Sequence, residues 1–166
     1  MFLLLPVLMC AALITADQAT KHLAVNFLKP LDTTPVIPGI MNFTYVENEG
    51  AAFGLMQGAR WFFVVLTALV FGVIIYYYLK LPKEKKYRPA RVAMVLVASG
   101  AIGNAIDRAL NGFVVDFIHA SFINFPVFNL ADIYVVIGTI LLSVMFLILG
   151  VNEEKTAKKV KEPSCQ

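Results

Sequence analysis

Three carboxylates, Asp107, Asp116 and Asp132, stand with Asn104, Arg108 and Asn129 between Gly100 and Asp132 of a chain that is otherwise largely apolar. Ionisable groups beside apolar spans are costly to keep and mark a functional site. Two carboxyls brought close together cannot readily both ionise, so one keeps a proton while the other does not. Such a pair supplies both the base that activates a water and the acid that activates an amide, which is enough to hydrolyse a peptide bond. Other chemistries have thin support. His22 and His119 are the only histidines, no HExxH or Cys/His cluster occurs, and Cys10 and Cys165 have no partner at a metal or redox spacing. No metal or other cofactor is expected. A serine–lysine arrangement would have to join Lys21 to Ser99 or Ser121; the first lies too deep in a span and the second in a strand-forming segment. His119 has nothing near it in sequence to complete a triad and is expected to be a surface polar residue.

The elements that must position these groups are membrane spans. Of 166 residues 59% are hydrophobic and only 15% charged, against about 25% charged in soluble domains. The stretch from Phe2 runs apolar to Ala16 and continues through Asp17 and Lys21 to Phe27, long enough for a first transmembrane helix. Asp17 and Lys21 are four apart with the acid first, the favourable order for a pair along one helix face. The pair is expected to neutralise a helix end close to the membrane interface. Arg60 to Lys80 is a second span with Trp61, Phe62 and Phe63 at one end and Tyr76, Tyr77 and Tyr78 at the other. Val92 to about Leu110 and Leu130 to Gly150 make the third and fourth.

Charge sets the orientation. Lys80, Lys83, Lys85, Lys86, Arg88 and Arg91 crowd the loop between the second and third spans, and Lys155, Lys158, Lys159 and Lys161 lie beyond the fourth. By the positive-inside rule both segments are cytoplasmic, and so is the N-terminus. These cations flank spans instead of forming a reading face, so nucleic-acid binding is not expected. At about 1.5 Å per residue, Asp17 lies roughly 20 Å or more from the start of its helix. Asp17, Asn48, Asn104, Asp107, Arg108, Asp116, Asn129 and Asp132 then all fall near the outer face.

Between the first two spans, Pro30, Pro35, Pro38 and Gly39 predict an exposed loop, MNFTYVEN a short strand, Asn48 with Gly50 a turn, and Ala51 to Met56 a brief surface helix. The segment from Phe113 to Phe128 is β-prone and is expected to pair with the strand around Phe43. Gly100, Asn104 and Arg108 recur every fourth residue on one face of the third span; Ser99 and Gly103 make a small-residue face for helix packing. Asn129 is a natural N-cap for the fourth helix, with Asp132 in its first turn. The fold class expected is a membrane α-helical protein of four transmembrane helices with a small extracytoplasmic β platform and a short surface helix.

Five motifs occur in order: DQATK from Asp17, NEGAAF from Asn48, GAIGNAIDR from Gly100, VVDF from Val114 and FNLAD from Phe128. Together they resemble the lipoprotein signal peptidases, the type II signal peptidases of bacteria, over essentially the whole chain before its tail. Ser99 stands where many members have a glycine. The resemblance implies an aspartic endopeptidase of the bacterial cytoplasmic membrane with Asp116 and Asp132 as the catalytic pair. It implies that Asn48, Asn104, Arg108 and Asn129 bind substrate or support the pair, and that Asp17 and Lys21 form a structural polar pair. Its substrates would be prolipoproteins bearing a diacylglyceryl group, cut just before the lipidated cysteine. Membrane lipids are further partners, and a monomer is expected. Residues 1–151 would form one membrane-embedded peptidase domain and 152–166 a cytoplasmic polar tail. The alternative from another class is a small transporter or proton-coupled channel using the same aspartates. Against it, the spans show no paired broken helices or internal repeat, and the polar groups cluster at one face.

Overall fold

The computed structural model describes residues 3–50, 56 and 58–161. Among these residues four helices are long and apolar enough to cross a bilayer, and with a three-stranded sheet at one end they make a helical membrane protein with a small β platform. In chain order these elements are α1 (Leu4–Leu23), β1 (Thr33–Ile37), β2 (Met41–Asn48), α2 (Arg60–Lys80), α3 (Arg88–Asn111), β3 (Val114–Ala120) and α4 (Leu130–Lys161). A π-helical turn, Ala24–Leu28, extends α1, and a 3-10 turn, Lys85–Tyr87, leads into α3.

α3 is the hub: α1, α2 and α4 all pack against it. Its sequence explains why. Ala93, Ala98, Ser99, Gly100 and Gly103 are all buried on it, and small side chains let helix backbones approach closely where lipid offers no hydrophobic drive for association. A Cβ at Gly100 would collide with the carbonyl oxygen of Ala131 on α4. From the other side, a Cβ at Gly138 would stand 2.8 Å from Ala93 O and 2.7 Å from Val97 Cγ2. Ser99 is fully buried and donates its hydroxyl to Val95 O at 2.7 Å, so its polar group is satisfied within its own helix. α2 buries no residue and presents its apolar surface to the surroundings.

The sheet runs β1-β2-β3, antiparallel throughout. Phe43 pairs with Ile118 and Asn48 with Val114, as expected of the strand around Phe43, and a bulge lies between Phe43 and Val46. Ala24, Val115 and Phe117, with Phe43 and Tyr45 packed against them, tie the platform to the end of α1. α3 stops at Gly112, whose φ of 90° is the left-handed conformation that ends helices, and the chain turns directly into β3.

Two boundaries differ from expectation. The proline-rich stretch is not wholly loop: β1 runs through Pro35, which pairs with Asn42 beside a bulge. An edge strand tolerates proline because one row of its N–H groups has no ladder partner to lose. α4 also continues past Gly150 as far as Lys161, although its apolar part ends at Leu149. The surface helix expected over Ala51 to Met56 falls, Met56 apart, outside the described residues.

Candidate active site

Asn129 is the N-cap of α4, and its bonds build the centre of the site. Its side-chain Oδ1 accepts the N–H of Asp132 at 3.0 Å, and Asp132 Oδ2 accepts the N–H of Asn129 at 3.0 Å. This reciprocal capping box fixes the Asp132 carboxylate against the first turn. The remaining oxygen, Oδ1, accepts Asn104 Nδ2 at 2.7 Å. Asn129 is itself placed by Phe128, which exchanges backbone hydrogen bonds with Ile118 of β3.

Asp116 enters from β3. Its Oδ1 accepts Asn129 Nδ2 at 2.6 Å, and its Oδ2 accepts Asn48 Nδ2 at 2.9 Å from the end of β2. Asn48 Oδ1 in turn accepts the Gly50 N–H at 3.1 Å, making the turn expected there. One asparagine therefore bonds to both acids, by its amide to Asp116 and by its backbone to Asp132. Asp116 is 2% exposed. Burial pushes its carboxyl up from the ordinary value to about 6; the charge of Asp132 adds to the rise, and the Asn48 and Asn129 donors oppose it.

A buried ion network lies beneath the two acids. Lys21 Nζ contacts Asp17 Oδ2 at 3.0 Å, Asp107 Oδ2 at 3.1 Å and Asn104 Oδ1 at 2.8 Å. Those are three acceptors for three ammonium protons. With the Asn104 carbonyl committed to Lys21, and also accepting Asn129 Nδ2 at 3.1 Å, its NH2 group faces Asp132. Asp17 Oδ1 accepts the Ala131 N–H at 3.0 Å, tying α1 to the start of α4. Asp107 Oδ2 accepts the Val115 N–H at 3.1 Å, tying α3 to β3. Gly103 makes room: a Cβ there would stand 2.5 Å from Asp17 Oδ2.

The expectation that Asp17 and Lys21 neutralise a helix end near the interface is corrected here. They are 0% and 2% exposed, inside the bundle, where the helix end is covered by α3, α4 and β3. Gln18 was missed as a member of this network, and Asp107, expected near the outer face with the other polar groups, also joins it. Gln18 Nε2 donates to Asp17 Oδ2, Gly103 O and Asp107 Oδ1 at 3.2, 3.1 and 3.0 Å. The available signal was the face of Ser99 and Gly103, which reaches Asp107 at the next fourth residue.

Asn48, Asn104, Arg108, Asp116 and Asp132 line one end of a cleft of about 470 Å³, whose apolar wall includes Phe125, Pro126, Ile133 and Val136. Arg108 lies over the Phe63 ring at 4.7 Å and donates to Gly50 O at 2.8 Å, so it is held within the fold. His119 Nδ1 faces Thr44 Oγ1 at 3.4 Å on the sheet. Neither candidate serine has the lysine it would need, since Ser99 donates to Val95 O and the Lys21 protons are committed elsewhere. Among the described residues no group of three or more His, Cys, Asp or Glu could hold a metal ion. The arrangement offers two carboxyls, one of them buried and pushed up to about 6, in a groove with an oily wall.

A family model described as signal peptidase (SPase) II matches residues 9–148 of this chain. The lipoprotein signal peptidase of Streptococcus pyogenes serotype M5 (strain Manfredo) is 43% identical over 136 residues, 82% of this chain and 88% of that protein. Its counterpart from serotype M3 (strain ATCC BAA-595 / MGAS315) is 42% identical over the same shares. Two solved structures, each of a bacterial membrane enzyme, have the same fold. One is 34% identical with a TM-score of 0.77, covering 96% of this chain and 94% of the solved one. The other is 36% identical with a TM-score of 0.75, covering 86% and 92%.

Proposed function

We propose that this chain, which belongs to the signal peptidase II family and removes signal peptides from prolipoproteins, does so as an aspartic endopeptidase whose working pair is Asp116 and Asp132. The observation that carries this is the double engagement of Asn129, which bonds both acids at the polar end of one cleft. Asp132, bonded by two N–H donors at the positive end of α4, carries the negative charge and takes a proton from water. Asp116, buried and with its carboxyl pushed up to about 6, gives its proton to the scissile carbonyl oxygen as the water oxygen bonds to carbon. The gem-diol then collapses. The C–N bond breaks as Asp132 protonates the leaving amine and Asp116 recovers a proton from a diol hydroxyl, so the pair ends as it began.

The remaining polar groups preorganise this pair. Asn104 and Asn48 each present an amide to one acid, and Lys21 with Asp17 and Asp107 sets the Asn104 amide from below. Arg108 anchors the backbone at Gly50 beside the cleft. The substrate is a prolipoprotein carrying a diacylglyceryl group, cut just before the lipidated cysteine. Its acyl chains would lie along the apolar wall of the cleft and fix the depth of the scissile bond, which converts a surface encounter into a positioned one. The membrane is the bacterial cytoplasmic membrane, with both termini inside and the cleft near the outer face; the basic loop at the opposite end of the bundle from the sheet supports that orientation.

The test is cleavage of a diacylated prolipoprotein by Asp116→Asn and Asp132→Asn. Each is expected to fold, to keep its helical content, and to release no signal segment. Cleavage retained by either variant refutes the pair.

A further inference from the structure

α1 and α2 both pack on α3 but scarcely on each other among the described residues. The gap between them is an apolar groove of about 510 Å³, with Val7, Ala11 and Ile14 on α1, Ile75 on α2 and Val95 and Ala98 on α3 along its walls. It lies in the half of the bundle away from the sheet and shares no residue with the cleft around Asp116 and Asp132. On α1 it extends from Leu3 to Ile14, about 17 Å at 1.5 Å per residue, and half of a hydrocarbon core is about 15 Å. The groove is therefore about one leaflet deep.

Its open end is basic. A second hollow shares Pro6, Tyr78 and Val95 with the groove and is lined also by Lys83, Arg88 and Arg91. Arg91 is 7% exposed and donates to Leu81 O at 2.8 Å and Pro82 O at 2.6 Å, with its guanidinium 5.9 Å from the Tyr78 ring centre. That cation is built into the mouth instead of waving over it. Lys83 and Arg88 are exposed beside it. The first turn of α3, whose helix dipole is positive, starts at the same place with no acidic residue in it.

We propose that this groove is a binding site for one anionic phospholipid of the leaflet at the basic-loop end, with an acyl chain between α1 and α2 and the phosphate at Lys83, Arg88 and Arg91. The two halves of the site match the two halves of that ligand: an oily slot of leaflet depth and a cationic mouth at the headgroup level. Filling the slot replaces packing that α1 and α2 do not supply to each other, so the lipid acts as a structural wedge remote from the cleft.

The test uses the full chain, purified in a neutral detergent and stripped of lipid, then incubated with phosphatidylglycerol or phosphatidylcholine of identical acyl chains. Bound lipid is counted by native mass spectrometry. The site retains one phosphatidylglycerol per chain and binds phosphatidylcholine roughly tenfold or more less well. Lys83→Gln with Arg88→Gln, both exposed, removes the preference. Ala11→Phe, at an exposed position in the groove, lowers retention of both lipids, and Ile14→Trp serves the same purpose should that variant fail to fold. All variants still cleave a diacylated prolipoprotein in detergent, which shows that they are folded. Equal retention of the two lipids, retention untouched by these substitutions, displacement of the lipid by glycerol phosphate alone, or a lipid-free dimer that covers the groove would each overturn the proposal.

Discussion

Lys21 Nζ donates to Asn104 Oδ1 at 2.8 Å, and the direction of that bond decides which end of the Asn104 amide Asp132 sees. A lysine on α1 thus controls a donor to the carboxylate on α4 without touching it. Lys21→Met removes the cation and leaves Asp17 and Asp107 buried together. A loss of about 3–5 kcal/mol is expected, as for any buried ion pair deprived of one partner. Adding Asp107→Asn should recover part of the thermal stability in detergent but little of the cleavage, because the Asn104 amide remains unset. Full recovery of cleavage in the double variant would show that Lys21 is needed only for folding.

The buried carboxyl of Asp116 predicts the pH profile. Its value is raised to about 6, so the neutral form persists well above the range where ordinary aspartates have ionised. As pH rises through about 6 Asp116 loses its proton, and kcat/KM should fall on that alkaline limb. An acyl-chain substrate removes more water and would move the limb higher in the bound complex, which kcat reports. The limb belongs to the pair and not to one residue. The same shift predicts that stability supplied by neutral Asp116 is complete below the unfolded value and lost as pH rises through about 6. A cleavage rate flat from about pH 5 to pH 9 would contradict the assignment.

Gly100 is expected to tolerate nothing larger. The Ala131 carbonyl occupies the place of its Cβ, and Ala131 lies between Asn129 and Asp132. Gly100→Ala should cost about 1–3 kcal/mol through forced displacement of α4 and should depress cleavage further than stability alone explains. Gly72 on α2 is the control: nothing lies within 4 Å of its Cβ position, so Gly72→Ala should leave cleavage unchanged and raise stability by about 0.5–1 kcal/mol.

Arg108 reaches Gly50 O at 2.8 Å while stacked on Phe63, a geometry that depends on a planar guanidinium. Arg108→Lys keeps the charge and loses the fork. A fall in kcat/KM of roughly tenfold is expected, the equivalent of one hydrogen bond to a charged group, with the melting temperature nearly unchanged. A variant with wild-type kinetics would mean that the charge alone suffices.

Much of this fold was legible because membrane spans announce themselves. The expected bounds of α2, Arg60 to Lys80, match its observed ends, since unbroken apolar sequence between aromatic belts leaves no other solution. The strand over Met41–Asn48 and its pairing with β3 followed from alternation and β-formers. β1 was hidden by Pro35, because local signals do not distinguish a loop from an edge strand that tolerates proline. The convergence of Asp116, Asp132, Asn48, Asn104 and Arg108 on one cleft, with Asn129 bonded to both acids beside it, could be expected from topology and depth. The depth of Asp17 and Lys21 could not. An ion pair along a helix face looks the same in sequence whether lipid headgroups or a neighbouring helix will cover it, and only the packing of α3 and α4 decides. The partner of Asp107 was hidden for a related reason: it is 86 positions away at Lys21.

That separation bears on how the protein is made. α1 precedes α3 in the chain, and Asn104 arrives 83 residues after Lys21. Until α3 is inserted, the ammonium of Lys21 has only Asp17, one turn earlier on its own helix, to neutralise it. The i,i+4 spacing thus lets a nascent segment carry its future core through the membrane as a self-neutralised unit, to which Asn104 and Asp107 are added when the third helix arrives.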